Sequence, residues 1–378
     1  MRLKNRVAII EIYSHHVFVH TLAYCLRDAG FIVDIYVTKR IYKDLIPLLE
    51  NLENINIFLP KENESEFRYL RRIKKDIELK NEILFINTIQ GYRVLYFYLT
   101  KFNLKTIAAA GRISEFFGSK YKLSGFKDLR GLLHHNLTKY CISKIIKRLE
   151  GIIVHTDQAK SLAKMHGYKN KIHKMPFSLN LGIDRKTKNN LVHFIVTGSI
   201  NDTSRDYFGL LDAFEKVWRK GIIKNKLTIL SGASGKGAYG KKIRNEMIKL
   251  KENGYPITFY DDYIPEKKYI ESSQKADFLI APIVFDYYGK GELTSVTVES
   301  IRMSTPAIYP AFYKPDKIFE KSSIYFDSYK HLTEILENLS SHQELVTKYK
   351  NLAKKSYKNL NVQNESKSIK LFLEEFNE

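Results

Sequence analysis

Residues 281–310, APIVFDYYGKGELTSVTVESIRMSTPAIYP, carry the pattern that decides the fold. An apolar strand end leads into a polar loop with two glycines, a helix is predicted to begin at Thr294 and Ser295 and to end before Pro306, and a short strand follows at 307–309. Such a loop before a helix N-terminus is a good anion site, because unbonded backbone N–H groups and the positive end of the helix dipole point outward together. An ordinary capped helix of an α/β domain has the same pattern, so this stretch alone leaves both interpretations open.

The rest of the chain repeats this alternation of strand and helix. Residues 6–12 and 32–37 are apolar runs on either side of a helical pattern that ends at Gly30, which is typical of a βαβ unit. The alternation fails over the Asn-, Lys- and Gly-rich residues 178–190 and restarts at Val192. We therefore predict an α/β protein of two doubly wound Rossmann-like domains facing a cleft. The predicted parts are an N-terminal domain 1–180, a linker 181–190, a C-terminal domain 191–360 and a last helix 361–378 that packs back toward the N-terminal domain.

Composition supports a globular protein and sets limits on its class. The 378 residues are enough for two domains, and 44% hydrophobic with 27% charged residues is a globular balance. No uncharged apolar run reaches the ~18 residues that a membrane-spanning helix needs, and the N-terminal apolar run is too short for a signal peptide. Two cysteines, Cys25 and Cys141, make neither a disulfide framework nor a metal-binding spacing. We expect a cytoplasmic protein.

The net charge of +21 is unevenly distributed: residues 1–185 carry +15 and residues 186–378 carry +6. This excess favours a polyanionic partner, such as an anionic membrane or a phosphorylated substrate, although a Lys-rich genome explains part of it. The basic helix 66–79 is either a solvated face or a membrane contact, since it also carries Phe67, Tyr69 and Leu70. No nucleic-acid recognition module accompanies the basic segments, so we expect no nucleic-acid partner.

Polar loops follow several predicted strands of the second half, and doubly wound sheets bind ligands beyond the carboxyl ends of their strands. One loop begins with Gly198 and Ser199, which allow close backbone approach, and leads to Arg205. The guanidinium of Arg205 offers a permanently charged fork for phosphate, unless it is merely solvated at a helix start.

Two further loops contribute weaker signals. The glycine-rich residues 231–240 lack the ending of a Walker A loop and are read as a flexible turn or a nucleotide contact. Residues 260–264, YDDYI, can line a base through backbone groups, Tyr263 and Ile264. The adjacent carboxylates of this loop have no third ligand, so we expect no metal site.

The first half has its own polar strand ends. His15 and His16 lie where the first strand meets its helix, and an imidazole there can act as a general base or bind phosphate, unless it is solvated or caps the helix. Glu115 is an alternative base, since it is the sole carboxylate near the next polar loops. The acceptor-side wall predicted from these loops consists of Asn87, Gly111 and Arg112.

Taken together, the pattern resembles the GT-B-fold glycosyltransferases of the glycosyl transferases group 1 type, over nearly the full chain. The resemblance is most specific in three segments: TGSINDTSRDYFGLLDAF (197–214), ITFYDDYIPEKKYIESSQKADFLIAPI (257–283) and GELTSVTVESIRMSTPAIYP (291–310). The last segment resembles the family's donor-binding E-x7-E region. Here, however, Glu292 and Glu299 are spaced E-x6-E. The first loop likewise has Ser-His-His where the family usually has a Gly-Gly pair.

The resemblance implies roles for individual residues. Glu299 would hold the ribose of a nucleotide-sugar donor, Thr294, Ser295 and Val296 would offer groups to the diphosphate, and Arg205 would bind phosphate. The donor-binding set predicted in this way is Gly198, Ser199, Arg205, Tyr263, Ile264, Glu292, Leu293, Thr294, Ser295, Val296 and Glu299.

The implied activity is metal-independent transfer of a sugar from a nucleotide-sugar donor to a glycan or lipid-linked acceptor, in the synthesis of a cell-surface polysaccharide or glycoconjugate. The donor is a substrate, and no cofactor is expected. The basic first domain predicts the acceptor side and a peripheral contact with the inner face of an anionic membrane. Two alternatives remain open: a sugar-nucleotide epimerase of the same architecture, and an inactive binding subunit of a partner glycosyltransferase.

Overall fold

The structure is a computed structural model that describes residues 5–49, 52–111, 113–117, 129–182, 191–221, 224–231, 237–288 and 292–376. The chain divides into two compact units. Unit 1 comprises Met1–Phe177 and Val362–Glu378, and unit 2 comprises Ser178–Asn361.

Unit 1 contains a seven-stranded parallel sheet with the strand order β3-β2-β1-β4-β5-β6-β7. Its strands are β1 (Arg6–Glu11), β2 (Ile32–Val37), β3 (Ile55–Phe58), β4 (Ile83–Ile86), β5 (Lys105–Ala109), β6 (Gly151–Val154) and β7 (Lys171–Lys174). The helices between them are α1 (His16–Asp28), α2 (Lys39–Leu45), α3 (Glu66–Lys80), α4 (Arg93–Thr100), α5 (Ile113–Phe117), α6 (Leu129–Ile146) and α7 (Asp157–Met165). The central strand β1 is buried on both faces, which explains its continuous apolar run.

Unit 2 contains a six-stranded parallel sheet with the order β10-β9-β8-β11-β12-β13. Its strands are β8 (Val192–Thr197), β9 (Asn225–Leu230), β10 (Ile257–Phe259), β11 (Phe278–Ile280), β12 (Ala307–Pro310) and β13 (Ser323–Phe326). Its helices are α8 (Tyr207–Arg219), α9 (Ala238–Glu252), α10 (Glu266–Ser273), α11 (Phe285–Tyr288), α12 (Ser295–Arg302), α13 (Lys317–Glu320), α14 (Tyr329–Ser341) and α15 (Gln343–Tyr357). The prediction of two doubly wound α/β domains is confirmed.

Alternation along the strands of unit 2 builds a separate core on each face of its sheet. Phe194 and Phe278 pack with helix residues such as Phe214 on one face. The next residue of each of these strands, Ile195 and Leu279, packs on the other face. Successive strand residues point to opposite faces, so one strand serves both cores.

The last helix, α16 (Val362–Glu374), belongs to unit 1. Its buried face includes Ile369 and Phe372, and the Phe372 ring stacks on His173 of β7 with 4.8 Å between ring centroids. Before it, the chain crosses into unit 2 at Ser178, whose hydroxyl donates to the carbonyl of Val298 at 2.8 Å. Residues 183–190 of the predicted linker lie outside the described part of the chain.

Local differences from the predicted elements have simple causes. Helix α2 ends at Leu45 and a 3-10 turn, Ile46–Leu48, follows, because Pro47 cannot donate the hydrogen bond that continues an α-helix. The four-residue helices α11 and α13 were not predicted, because a single turn shows no periodicity.

Each sheet has one point at which its connections change direction. In unit 1 this point lies between the neighbouring strands β1 and β4, and in unit 2 between β8 and β11. The loops that leave the carboxyl ends of such a strand pair diverge and open a crevice, which is where doubly wound sheets bind ligands. The predicted loops that contain His15, Asn87 and Gly198, and the loop that leads to Thr294, leave these strands, whereas the other predicted loops follow β5, β9 and β10. Within the described part of the chain, no helix has the length and apolar character needed to span a membrane.

Candidate functional site

The loops after β8 and β11 are joined to each other at the switch point of unit 2. Arg205 and Ile283 form an isolated antiparallel bridge. The Asp206 N–H donates to the carbonyl of Pro282 at 2.8 Å, and the Val284 N–H donates to the carbonyl of Ser204 at 3.2 Å. These backbone bonds hold the start of α8 against the end of β11, so the position of Arg205 is determined by the main chain on both sides.

Arg205 is a buried cation, only 4% exposed. Its Nη2 donates to Ser295 Oγ at 3.1 Å and its Nη1 donates to the carbonyl of Ser199 at 3.3 Å, whereas Nε is buried and has no hydrogen-bond partner among the described residues. Among the described residues, no carboxylate lies within ion-pair distance of this guanidinium. A buried charge without a counter-charge is costly, and a bound anion would remove that cost.

Gly198 provides the space that the Arg205 side chain occupies. Its φ is +94°, and a Cβ built on it would lie 2.4 Å from Arg205 Nη2 and 2.6 Å from Ser295 Oγ. Any other residue would therefore strain the backbone and displace the guanidinium. Glycine is therefore required at this position for two reasons: its positive φ and the close approach of the Arg205 side chain to its Cα.

The N-terminus of α12 lies against the same arginine. Thr294 caps the helix by accepting from the Thr297 N–H at 3.1 Å. Ser295 Oγ donates to the carbonyl of Thr197 at 3.1 Å, which fixes the hydroxyl next to Arg205. The N–H groups of Ser295 and Val296 donate to no protein group in the described part of the chain. The predicted anion site thus has its helix cap, two available N–H groups and a cation in one place.

Glu299 follows one turn further along α12 and is 4% exposed. Its Oε1 accepts from Arg302 Nη1 at 2.9 Å, and Arg302 Nη2 donates to Glu266 Oε1 at 2.6 Å. Burial lowers the pKa of Arg302, but the two carboxylates outweigh it and hold that pKa above its usual value. This buried ion-pair network was not predicted, although the spacing of Glu299 and Arg302 by three residues on one helix is a signal for it.

The other predicted donor residues differ in burial. Ile264 and Glu292 are buried, Leu293 is half-buried, and Tyr263 is exposed by 58%. A pocket of about 530 Å³ lies at the carboxyl ends of β8 and β9. It is lined by residues 199–203, which include the predicted Ser199, and by residues 237–240. Residues 232–236 of the glycine-rich loop lie outside the described residues.

In unit 1, the ends of β1 and β4 meet at a carboxylate that sequence reasoning missed. Glu11 is fully buried, and its Oε2 accepts from Asn87 Nδ2 at 2.6 Å and from Thr88 Oγ1 at 2.5 Å. Its Oε1 accepts from the N–H groups of Tyr13 and Ser14 at 2.5 and 3.2 Å. Glu11 was overlooked because it lies inside an apolar run. A carboxylate in a buried strand is itself a signal, since burial of a charge requires partners.

The predicted residues His15 and Asn87 come together at this point, since Asn87 Nδ2 also donates to the carbonyl of His15 at 3.1 Å. The His15 ring packs edge-on against Phe177 at 5.4 Å, and His16 begins α1. Gly111 follows β5 by two residues. Arg112 lies outside the described residues, and Glu115 lies in α5, where the structure describes its backbone but not its side chain.

A second histidine, His155, lies at the end of β6 against Phe18 and Phe177. Its Nδ1 is 3.0 Å from the carbonyl of Met175, and burial lowers its pKa to about 4. The imidazole is therefore neutral at physiological pH. Since the His155 ring packs between aromatic rings, its role is structural.

The membrane-facing interpretation of α3 is wrong for two of its three apolar side chains. Tyr69 and Leu70 are fully buried in the core of unit 1. Residues 69, 70, 73 and 77 form the buried stripe of this helix, and that helical spacing was already visible in the sequence. The basic face of α3 is partly neutralised, since Arg72 pairs with Glu64 at 2.8 Å and Lys74 pairs with Glu78 at 3.7 Å.

No protein-family model matches the chain, and no curated protein sequence matches it significantly. Its fold, however, matches solved structures over nearly its whole length. Sucrose-phosphate synthase from Thermosynechococcus elongatus superposes with a TM-score of 0.68 at 13% identity, covering 99% of both chains. Anabaena Alr3699/HepE in complex with UDP-glucose gives a TM-score of 0.68 at 10% identity, covering 98% of this chain and 99% of that chain. The pneumococcal O-GlcNAc transferase GtfA in complex with UDP and GlcNAc gives 0.64 at 9% identity, covering 98% of both. The chain therefore has the GT-B fold, as its sequence motifs predict.

Proposed function

We propose that this chain is a glycosyltransferase that moves a sugar from a nucleoside-diphosphate donor to a hydroxyl group of a glycan or lipid-linked acceptor, in the synthesis of a cell-surface polysaccharide or glycoconjugate. The observation that carries the proposal is Arg205, a buried cation that lacks a carboxylate partner in the described part of the chain and adjoins the N-terminus of α12. The UDP and UDP-glucose bound by two proteins of the same fold make UDP the first nucleotide to test.

The chemistry follows from the charges at this site. Transfer breaks the bond between the anomeric carbon and the diphosphate oxygen, so negative charge grows on the leaving diphosphate. Arg205 and the N–H groups of Ser295 and Val296 stabilise that charge without needing to reorganise, and we propose that they do so without a metal ion. Glu299 accepts hydrogen bonds from the ribose hydroxyls, which orients the donor.

Unit 1 supplies the acceptor side of the proposal. His15 or His16 accepts the proton of the acceptor hydroxyl as that oxygen attacks the sugar. Glu11 acts as a positioning residue, because it binds the N–H groups of Tyr13 and Ser14 and thereby holds the backbone that leads to His15. Asn87 clamps the same backbone from the other side.

The test is a thermal-denaturation and calorimetry series with UDP, GDP, ADP and CDP, each with and without EDTA. One nucleotide should raise the melting temperature in a saturable manner and the shift should survive EDTA, since ligand binding to the native state alone stabilises it. Release of that nucleoside diphosphate from the corresponding nucleotide-sugar should then be measured in the absence of acceptor. A chain that binds none of the four nucleotides at millimolar concentration contradicts the proposal.

The same assays separate the two alternatives. An epimerase interconverts the free nucleotide-sugars when no acceptor is present. An inactive binding subunit binds nucleotide, or fails to bind it, without turnover of any donor. The Arg205 site suits either enzyme if the epimerase works by eliminating and re-adding the nucleoside diphosphate, so the product formed without acceptor separates the two.

We also propose a peripheral contact between unit 1 and an anionic membrane, made by α4 and α6. Among the side chains that the structure describes on these helices, Leu99, Leu133, Leu137 and Tyr140 are apolar and at least half exposed. Neither helix contains an acidic residue, and the flanking cations include Lys144, whose Nζ is 5.3 Å from the Tyr140 ring centroid. Exposed leucines combined with cations suit the interface of an anionic bilayer.

Cosedimentation with vesicles tests this contact. The double variant Leu133→Glu/Leu137→Glu should lose binding to phosphatidylglycerol vesicles and retain its UDP affinity. The matched control Arg71→Glu/Lys75→Glu changes the charge by more on the face of α3 and should bind the vesicles better than the leucine variant. The reverse order would assign the contact to α3. If neither the wild type nor the variants bind the vesicles, the proposed membrane contact is excluded.

A further inference from the structure

Unit 1 contains a pocket that lies outside both sites described so far. It has a volume of about 430 Å³ and opens among the loops that follow β1, β2 and β3. Its lining includes Tyr13 after β1, residues 38–40 after β2, and residues 60–64 after β3. These are carboxyl ends of parallel strands, so the pocket lies at the same edge of the sheet as Glu11 and His15.

The two carboxylates that line this pocket are already paired. Glu64 receives two hydrogen bonds of 2.8 Å from Arg72, which lower its pKa to about 2. Glu66 accepts from Arg93 Nη2 at 2.8 Å. Each carboxylate therefore already has an arginine partner, and Glu64 also attracts Lys61, whose N–H donates to Glu64 Oε2 at 2.9 Å. The pocket contains other cations besides these arginines.

Those other cations are Lys39, Arg40 and Lys61, all of them exposed. None of the three forms an ion pair with a carboxylate of the described residues. Some exposed cations elsewhere do, as in the pair Lys216–Asp212. Two neighbouring loops thus direct an excess of positive charge at one concavity, which concentrates anions there.

An aromatic wall completes the pocket. The Arg93 guanidinium carbon is 4.6 Å from the ring centroids of both Tyr13 and Tyr92, so the cation is held between the two rings. Tyr13 is 36% exposed, and its N–H is bound by the buried Glu11. A ring that is held in place and partly exposed gives the apolar C–H face of a sugar a surface to stack on.

We propose that this pocket binds an anionic sugar of the acceptor glycan, with Lys39, Arg40 and Lys61 contacting its carboxylate or phosphate and Tyr13 packing on its ring. The inference rests on the proposed glycosyltransferase function and narrows its acceptor to acidic glycans. The pocket adjoins the backbone that carries His15, so a sugar bound here is near the proposed base.

Calorimetry on the full chain tests the proposal with three probes: a hyaluronan tetrasaccharide for carboxylates, mannose 6-phosphate for phosphates and chitotetraose as a neutral sugar. Wild type should bind one acidic probe, less tightly as salt increases, and should bind chitotetraose at least about tenfold more weakly. The variant Lys39→Gln/Arg40→Gln/Lys61→Gln should lose about tenfold or more in affinity for that probe. Which acidic probe binds identifies the anionic group.

A control variant separates the pocket from the general positive charge of the protein. Lys355→Gln/Lys367→Gln/Lys370→Gln removes the same charge from three exposed lysines elsewhere and should leave probe affinity unchanged. An equal loss in both variants, or no loss in the pocket variant, overturns the proposal. Tyr13→Leu should weaken binding, and Tyr13→Phe should restore it, because stacking needs only the ring.

Parallel UDP titrations keep this inference distinct from the proposed function. The pocket variant should bind UDP as wild type does. Loss of acidic-sugar binding with intact UDP binding supports the pocket. A wild-type chain that binds UDP but neither acidic probe refutes the pocket and leaves the donor site standing, whereas absence of UDP binding in wild type refutes the proposed function itself.

Discussion

Arg302 Nη1 donates to Glu299 Oε1 across 2.9 Å, so the carboxylate expected to hold the donor's ribose is also half of a buried ion pair. The same guanidinium reaches Glu266 through Nη2 at 2.6 Å. An ion pair fixes the Glu299 rotamer before any ligand arrives, and preorganisation of this kind lowers the entropic cost of binding. Stability and nucleotide affinity are therefore coupled at one residue, and the first prediction separates them.

Glu299→Ala should weaken UDP binding at least about tenfold and lower the free energy of unfolding by about 1–3 kcal/mol, because a charged hydrogen bond to Arg302 is lost. Glu266→Ala is the matched control: it breaks the other half of the network and should destabilise the protein similarly while leaving UDP affinity largely intact. Calorimetry and urea denaturation measure the two effects. Unchanged UDP binding in Glu299→Ala removes the ribose role, and equal binding losses in both variants make Glu299 a structural residue.

Arg205→Met should reduce UDP affinity by about 1–3 kcal/mol, the range of a hydrogen bond to a charged group. The unliganded protein should be no less stable than wild type, because the variant removes a buried charge that lacks a carboxylate partner among the described residues. Arg219→Met, at an exposed arginine paired with Glu215, is the control and should leave UDP affinity unchanged. A variant at Arg205 that loses stability but keeps its affinity would assign that arginine to the scaffold.

Gly198→Ala should weaken UDP binding by displacing the Arg205 guanidinium, and should also destabilise the fold by about 1–2 kcal/mol through its positive φ. Gly30→Ala is a close control, since Gly30 has a φ of +93° and nothing within 4 Å of the added Cβ. It should show the stability loss without the binding loss. Equal UDP affinity in the two variants would mean that the contact with Arg205 does not matter.

The free energy of unfolding should fall as pH decreases from 6.5 to 4. Burial lowers the pKa values of His155, His173 and His193 from 6.5 to about 4, so the unfolded state binds more protons in this window. Each histidine contributes about 1.4 kcal/mol per pH unit. Glu365 acts in the opposite direction, because burial raises its pKa from 4.5 to about 7 and its stabilising effect is lost as pH rises through that range. Because three histidines act against one carboxylate, the free energy of unfolding still decreases as the pH falls.

Urea denaturation at pH 7.5, 5.5 and 4.5 measures this slope. His173→Phe keeps the ring stack on Phe372 and removes one titrating group, so it should flatten the slope by about 1.4 kcal/mol per pH unit and leave stability at pH 7.5 nearly unchanged. A slope identical to that of wild type would show that His173 titrates alike in the folded and unfolded states.

Much of the fold could be predicted because its signals are local. The apolar run of β1, the breaks at glycine and proline, and the Thr294 cap each arise within a few residues. The errors came from signals that were present but underweighted: Glu11 inside an apolar strand, and the helical spacing that buries Tyr69 and Leu70 in α3. The assignment of Arg205 and Ser295 to one site depended on resemblance, since 90 residues separate them.

By itself, the sequence determined the succession of strands and helices along the chain, the two α/β units and the helix that begins at Ser295, because periodicity and capping depend on neighbouring residues. Only the tertiary structure decided that Gly198 makes room for Arg205, that Arg302 holds Glu299, and that Glu11 gathers the ends of β1 and β4. These contacts depend on which strands lie side by side in each sheet and on how long side chains share a buried space. The order of the strands within each sheet and the packing of side chains are properties of the whole chain, so no single segment encodes them.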